Sequence, residues 1–88
     1  MNYCFIKCKV ISNPEFKFIW KSKNISVCNI LVELNNGSII EVRGYNDIAD
    51  YIYGFVKLGE IIFIEGILKN KYIETRNIII IQYRLLQS

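Results

Sequence analysis

The sequence contains no histidine. That excludes imidazole acid–base catalysis and every Ser-His or Cys-His nucleophile, and it argues against most zinc chemistry. Its three cysteines, Cys4, Cys8 and Cys28, are odd in number and scattered, which argues against a secreted disulfide framework. Cys4 and Cys8 alternate with Ile6 and Val10 and read as small buried hydrophobes. Proline occurs once and glycine five times, too rarely for collagen-like or linker sequence. Apolar runs such as residues 78–81 are strand-sized, whereas a membrane-spanning helix needs about 20 apolar residues. No glycine-rich loop leads into Lys-Ser or Lys-Thr, so nucleotide hydrolysis has no support. Residues 1–10 interleave two lysines with apolar residues and have no small-residue cleavage site, so they do not read as a signal peptide. Asp47 and Asp50 stand three apart at a helix start, where they favour the macrodipole rather than hold a metal. The expectation is a protein without catalytic activity, cofactor or metal.

What is present suits one domain. The 88 residues are 52% hydrophobic and 22% charged, enough for a core and unlike a disordered chain. Eighteen residues are isoleucine. The Ile, Asn and Lys bias looks like an AT-rich genome, and the expected location is a plastid (chloroplast) or a bacterial cytoplasm. Net charge is +3, unevenly spread: residues 1–23 carry +4, residues 24–68 carry −4 and residues 69–88 carry +3. The ends are basic and the middle is acidic.

Period-two alternation marks strands. In residues 3–11, Cys4, Ile6, Cys8 and Val10 form one face; Tyr3, Phe5, Lys7 and Lys9 form the other. Ser12-Asn13-Pro14 is a turn signal. Phe16, Phe18 and Trp20 then alternate with Lys17, Ile19 and Lys21, a second extended stretch with aromatics on one side, before a polar loop at 21–24. Residues 26–34 place Cys28, Ile30, Val32 and Leu34 on a core face. Asn35-Asn36-Gly37 is a hairpin signal, because Asn-Gly tolerates positive φ. The return strand, 38–45, turns Ile40 and Val42 inward and Ile39, Glu41, Arg43 and Tyr45 outward. The period then lengthens: Ile48, Ala49, Ile52, Phe55 and Val56 form a helical stripe, with Asn46 or Asp47 as cap and Leu58-Gly59 as stop. Strands over 60–68 (Ile62, Ile64, Gly66 and Leu68 on one face) and 77–86 follow, joined by a loop at 69–71.

The order is read as β-β-β-α-β-β, with the helix between strands three and four. The predicted fold class is all-β with one helix, a five-stranded OB-fold Greek-key barrel whose helix plugs one end. A different small sheet with one helix is the structural alternative.

Three stretches resemble the bacterial-type single-stranded-DNA-binding protein family. Residues 4–18, ending in Asn13-Pro14-Glu15-Phe16-Lys17, look like the family's first strand and the turn after it. Residues 48–66, with Gly59 and Ile64-Glu65-Gly66, resemble its helix and fourth strand. Lys69 to Tyr72 stand where the family has a basic-aromatic turn. The likeness runs over nearly the whole chain and is nearest to short forms encoded by algal plastid and cyanobacterial genomes. It implies that Tyr45 occupies a base-stacking position. Phe63 matches a family tyrosine, and a further family aromatic falls on Ile73, beside Tyr72. The departures are a hairpin cut to Asn35-Asn36-Gly37, Ile39 in place of an aromatic, and no counterpart of the acidic C-terminal tail.

An OB-fold binds oligonucleotides on strands two and three, flanked by the loops between strands one–two and four–five. The candidate nucleic-acid residues are therefore Lys17, Trp20, Lys21 and Lys23 at the first loop, Arg43 and Tyr45 on strand three, and Lys69, Lys71, Tyr72 and Arg76 at the second. Aromatics would stack bases while cations follow phosphates. The outward apolar residues Tyr3, Phe5, Leu31 and Ile39 are candidates for a protein interface. Two functions follow. One is sequence-independent binding of single-stranded DNA, with RNA as the alternative ligand, by a homo-oligomer in replication, recombination or repair. The other is a small interaction subunit of a larger (plastid) multiprotein complex, which the short hairpin and modest charge favour.

Overall fold

The computed structural model describes residues 2–19 and 25–82. Six strands and one helix follow in chain order: β1 (Tyr3–Val10), β2 (Glu15–Ile19), β3 (Ile25–Glu33), β4 (Ile39–Tyr45), α1 (Asp47–Phe55), β5 (Ile61–Leu68) and β6 (Tyr72–Gln82). The strands pair in the order β1-β5-β6-β4-β3-β2, and β1 also pairs with β3. That last contact closes β1, β5, β6, β4 and β3 into a five-stranded barrel. All pairings are antiparallel except β4 with β6. The architecture is the expected OB-fold.

The helix follows the fourth strand rather than the third. Residues 15–19, read from their alternation as a second extended stretch, form a strand of their own and raise the count before the helix to four. The reason lies in the register: Val10 faces Val32 and Glu15 faces Asn29, so five steps along the first strands match three along β3. The surplus is accommodated at Ser12-Asn13-Pro14. There Ile11 N–H donates to the Leu31 carbonyl at 2.9 Å and Leu31 N–H donates to Ser12 Oγ at 2.8 Å. β1 and β2 thus share one edge of β3, and β2 extends the sheet beyond the barrel.

The core is aliphatic. Cys8, Val10, Cys28, Ile30, Val32, Val42, Ile62, Ile64 and Ile73 are buried, with Ala49, Ile52 and Val56 closing over them from α1. Each large aliphatic side chain removed from water contributes roughly 1.5–3 kcal/mol. The helix lies against Gly44, where any Cβ would come within 2.5 Å of the Ile48 side chain. Asn46 stands at the N-cap position at φ 53°, but its side chain does not bond into the helix. Its Oδ1 accepts from Ser26 N–H at 3.3 Å, tying the helix start to β3. Beyond the helix, Gly59 N–H donates to the Val10 carbonyl, and buried Glu60 accepts from Lys57 N–H at 2.7 Å.

Two inward expectations are corrected. Phe55 is 61% exposed, because the helix ends at that residue and its ring lies against Tyr51 instead of the core. Leu68 is exposed and Ile67 buried, because the β5–β6 register shifts between Glu65 and Gly66. Arg76 is the extra residue on β6, between Thr75 opposite Gly66 and Asn77 opposite Glu65. The inward set on β6 changes with it, from Ile73 and Thr75 to Ile78 and Ile80. The strand itself begins at Tyr72, five residues before its expected start.

Candidate nucleic-acid interface

The outer face of β2, β3, β4 and β6 is ordered in rows by strand register. Lys17 faces Val27, which faces Tyr45. Glu15 faces Asn29, then Arg43, then Glu74. Leu31 faces Glu41, which faces Tyr72. Successive rows are two residues apart along a strand, about 6.6–6.8 Å. β3 and β4 lie at the centre of this face, with β2, which carries Lys17, on one flank and β6, entered from the Lys69–Lys71 turn, on the other.

Arg43 organises that surface. Its Nε donates to Glu41 Oε2 at 2.6 Å, and its guanidinium carbon lies 3.8 Å from the centre of the Tyr72 ring. Glu41 is the chief cause of a raised Arg43 pKa, so the group is a permanent cation. The nearby Tyr45 hydroxyl is the first cause of a raised pKa at Tyr72. Arg43 stacks on Tyr72 across the parallel β4–β6 ladder, and Tyr45 is the next outward residue after Arg43 along β4, so the three form one group of two rings and a guanidinium plane. Ile73, which aligned with a family aromatic, is buried in the core. The outward position belongs to Tyr72.

Lys69 and Lys71 lie at the β5–β6 turn, where Lys69 N–H donates to the Tyr72 carbonyl. Lys69 Nζ and Arg76 Nη2 approach the two oxygens of Glu74 at 3.6 and 3.7 Å. Lys17 Nζ lies 3.8 Å from Glu15. Carboxylates thus accompany four of the candidate cations, namely Lys17, Arg43, Lys69 and Arg76. The part played by Glu15, Glu41 and Glu74 was not found from the sequence. Glu15–Lys17, Glu41–Arg43 and Glu74–Arg76 each stand two apart on one strand, the spacing that could have shown it. Trp20, Lys21 and Lys23 lie outside the described residues.

Beside the unit is a cleft of about 360 Å³, lined by Ser12, Asn13, Glu15, Asn29, Leu31 and Glu41. The four candidate interface residues fall on two separate surfaces. Leu31 and Ile39 belong to the β3–β4 face, next to Glu41 and Glu33. Tyr3 and Phe5 project from β1 and are 67% and 64% exposed. Phe63 packs edge-on against Phe5, centroids 4.5 Å apart, so it belongs to the β1–β5 surface and not to the Tyr45 platform. The cysteines carry no site chemistry: burial pushes Cys8 up to about 12 and Cys28 up to about 11, and these thiols stay protonated at neutral pH.

The sequence matches no protein-family model and no curated protein. The fold does have counterparts. The single-stranded-DNA-binding (SSB) domain of a Synechococcus protein superposes with a TM-score of 0.80 at 16% identity, covering 89% of this chain and 93% of that one. The single-stranded DNA binding protein of Thermus aquaticus gives 0.83 at 14% identity, covering all of this chain. This chain spans 44% of that protein's length. The second OB-fold domain of replication protein A from Methanococcus maripaludis gives 0.71 at 22% identity, covering 93% and 86%. At these identities the likeness establishes a shared OB-fold.

Proposed function

We propose that this protein binds single-stranded DNA, with little sequence preference and without catalysis. The observation that carries the proposal is the Arg43–Tyr45–Tyr72 group on the outer face of a barrel similar in fold to single-stranded-DNA-binding domains. Bases stack on the aromatic rings and on the guanidinium plane, and phosphates replace the carboxylates beside Lys69, Arg76 and Lys17. Exchange is feasible because exposed ion pairs contribute only about 0–1 kcal/mol each. Oligomers form through the β1 surface around Tyr3 and Phe5. The protein acts in DNA replication, recombination or repair, in a plastid or bacterial cytoplasm.

Titration against fluorescent oligo-dT at low and moderate salt tests this. The expected result is salt-sensitive binding stronger than that of duplex DNA, weakened by about 1–3 kcal/mol in Tyr45→Ala. A protein that binds no oligo-dT at low salt, or whose Tyr45→Ala variant binds equally well, refutes the proposal. The carboxylate neighbours of the cations favour a second assignment, a protein-docking subunit of a larger complex. Absence of DNA binding would leave that one standing.

A further inference from the structure

The described cations are not all accompanied by acids. Lys7 and Lys9 project from the outer face of β1, and among the described residues neither forms an ion pair. Both line a cleft of about 350 Å³ with Glu33, Asn35, Gly37 and Ile61, at the junction of β1, β5 and the β3–β4 hairpin. Glu33 is the one carboxylate in that lining, set against two ammonium groups.

The position of this cleft relative to the Arg43 unit follows from register. Lys9 faces Glu33 across the β1–β3 seam, and Glu33 faces Ile39. This row is the next one along β3 and β4 after Leu31 and Glu41. The surface therefore runs without interruption from Tyr45 and Arg43, past exposed Leu31 and Ile39, to Lys9 and then Lys7. From Tyr45 to Ile39 is six residues of strand, about 20 Å. β1 then lies two strand spacings to the side, about 10 Å away.

We infer that Lys7 and Lys9 form a second phosphate-binding track, which receives a single-stranded nucleic acid as it leaves the β3–β4 face. The inference rests on the proposed function and extends it: the platform holds a few bases, and this cleft holds the backbone beyond them. Two lysines two residues apart on one strand offer successive contacts to a phosphate chain. The hairpin, cut to Asn35-Asn36-Gly37, leaves their approach open.

The test compares wild type with a Lys7→Gln/Lys9→Gln variant, using dT8, sized for the platform, and dT20, long enough to reach the cleft. For dT20 the expected result is a several-fold loss of affinity at low salt. The slope of log K against log salt should fall by about 1.4, the value for two phosphate contacts on a single strand. Affinity for dT8 should be unchanged. Arg43→Gln should weaken both oligonucleotides, which separates the platform from the track. An unchanged dT20 slope in the lysine variant, with wild type still binding dT8, overturns the track and leaves the platform intact. Failure of wild type to bind either oligonucleotide overturns both. Sedimentation of the same variant supplies a further check. A shift in oligomeric state with an unchanged slope would assign Lys7 and Lys9 to a subunit contact and overturn the track.

Discussion

Gly66 shows how one residue can hold a barrel closed. It sits opposite Thr75 at the register shift of β5 and β6, and a Cβ there would run into the Glu74 backbone carbonyl. Backbone of a central strand has little room to retreat, so Gly66→Ala should destabilise the fold by roughly 1–3 kcal/mol. Chemical denaturation checks this, and a loss under ~0.5 kcal/mol would show that β6 yields. The buried thiols give a second prediction at this scale. Cys8 and Cys28 have folded-state pKa values of about 12 and about 11, against an ordinary value of 9.0. Below pH 9 the thiols are protonated in both states and their contribution is complete. Above it the unfolded chain releases protons first, so stability falls as pH rises towards 11–12. Thermal melts should show a Tm that drops across that range, by about 4–8 °C for each kcal/mol lost. Cys8→Val/Cys28→Val should melt with a shallower alkaline decline, and an identical decline in the two proteins would assign it to other groups.

At the scale of elements, legibility divides by sequence distance. The turn at Asn35-Asn36-Gly37, the alternation of β1, β3 and β4 and most of the α1 stripe were readable, because each depends on neighbours within a few residues. The inward switch along β6 was not, because the bulge at Arg76 exists only in relation to β5. Phe55 had the right spacing for the core, but spacing does not say where a helix stops. The candidate site divides in the same way. Arg43, Tyr45 and Tyr72 were identified one by one, whereas their union depends on the parallel β4–β6 ladder, which joins residues about thirty apart. The same ladder brings Glu74 beside Arg43 and lets it hold Lys69 and Arg76. On the proposed function Glu74 competes with phosphate for both cations. Glu74→Gln should therefore tighten oligo-dT binding by about two- to tenfold at low salt, with the gain shrinking as salt screens the charges. Weaker binding in that variant would mean that Glu74 orients the cations instead of masking them.

Among the described residues, two regions of the outer surface are unlike, one polar and aromatic around β4, one apolar around Tyr3 and Phe5 in the first half of β1. On the second, Tyr3, Phe5, Ile79 and Ile81 are exposed and Phe63 half-buried, a concentration of apolar area rare on a free monomer. β1 is hydrogen-bonded to β5 along most of its length but reaches β3 only at Lys9 and Val10. Among the described residues, its first half therefore has an edge without a strand partner, beside the exposed rings. A second copy would cover both features at once, since a twofold contact sets the same patch against itself. Lysine on an edge strand opposes such pairing. Phe5→Lys should then turn an oligomer into a protomer of about 10.3 kDa in sedimentation, with little change in fold because Phe5 is largely solvent-facing. Long oligo-dT should bind the variant less tightly, since linked protomers no longer share one strand, while dT8 should bind as before. A wild type already monomeric at micromolar concentration would remove the self-association and leave this surface to a different protein.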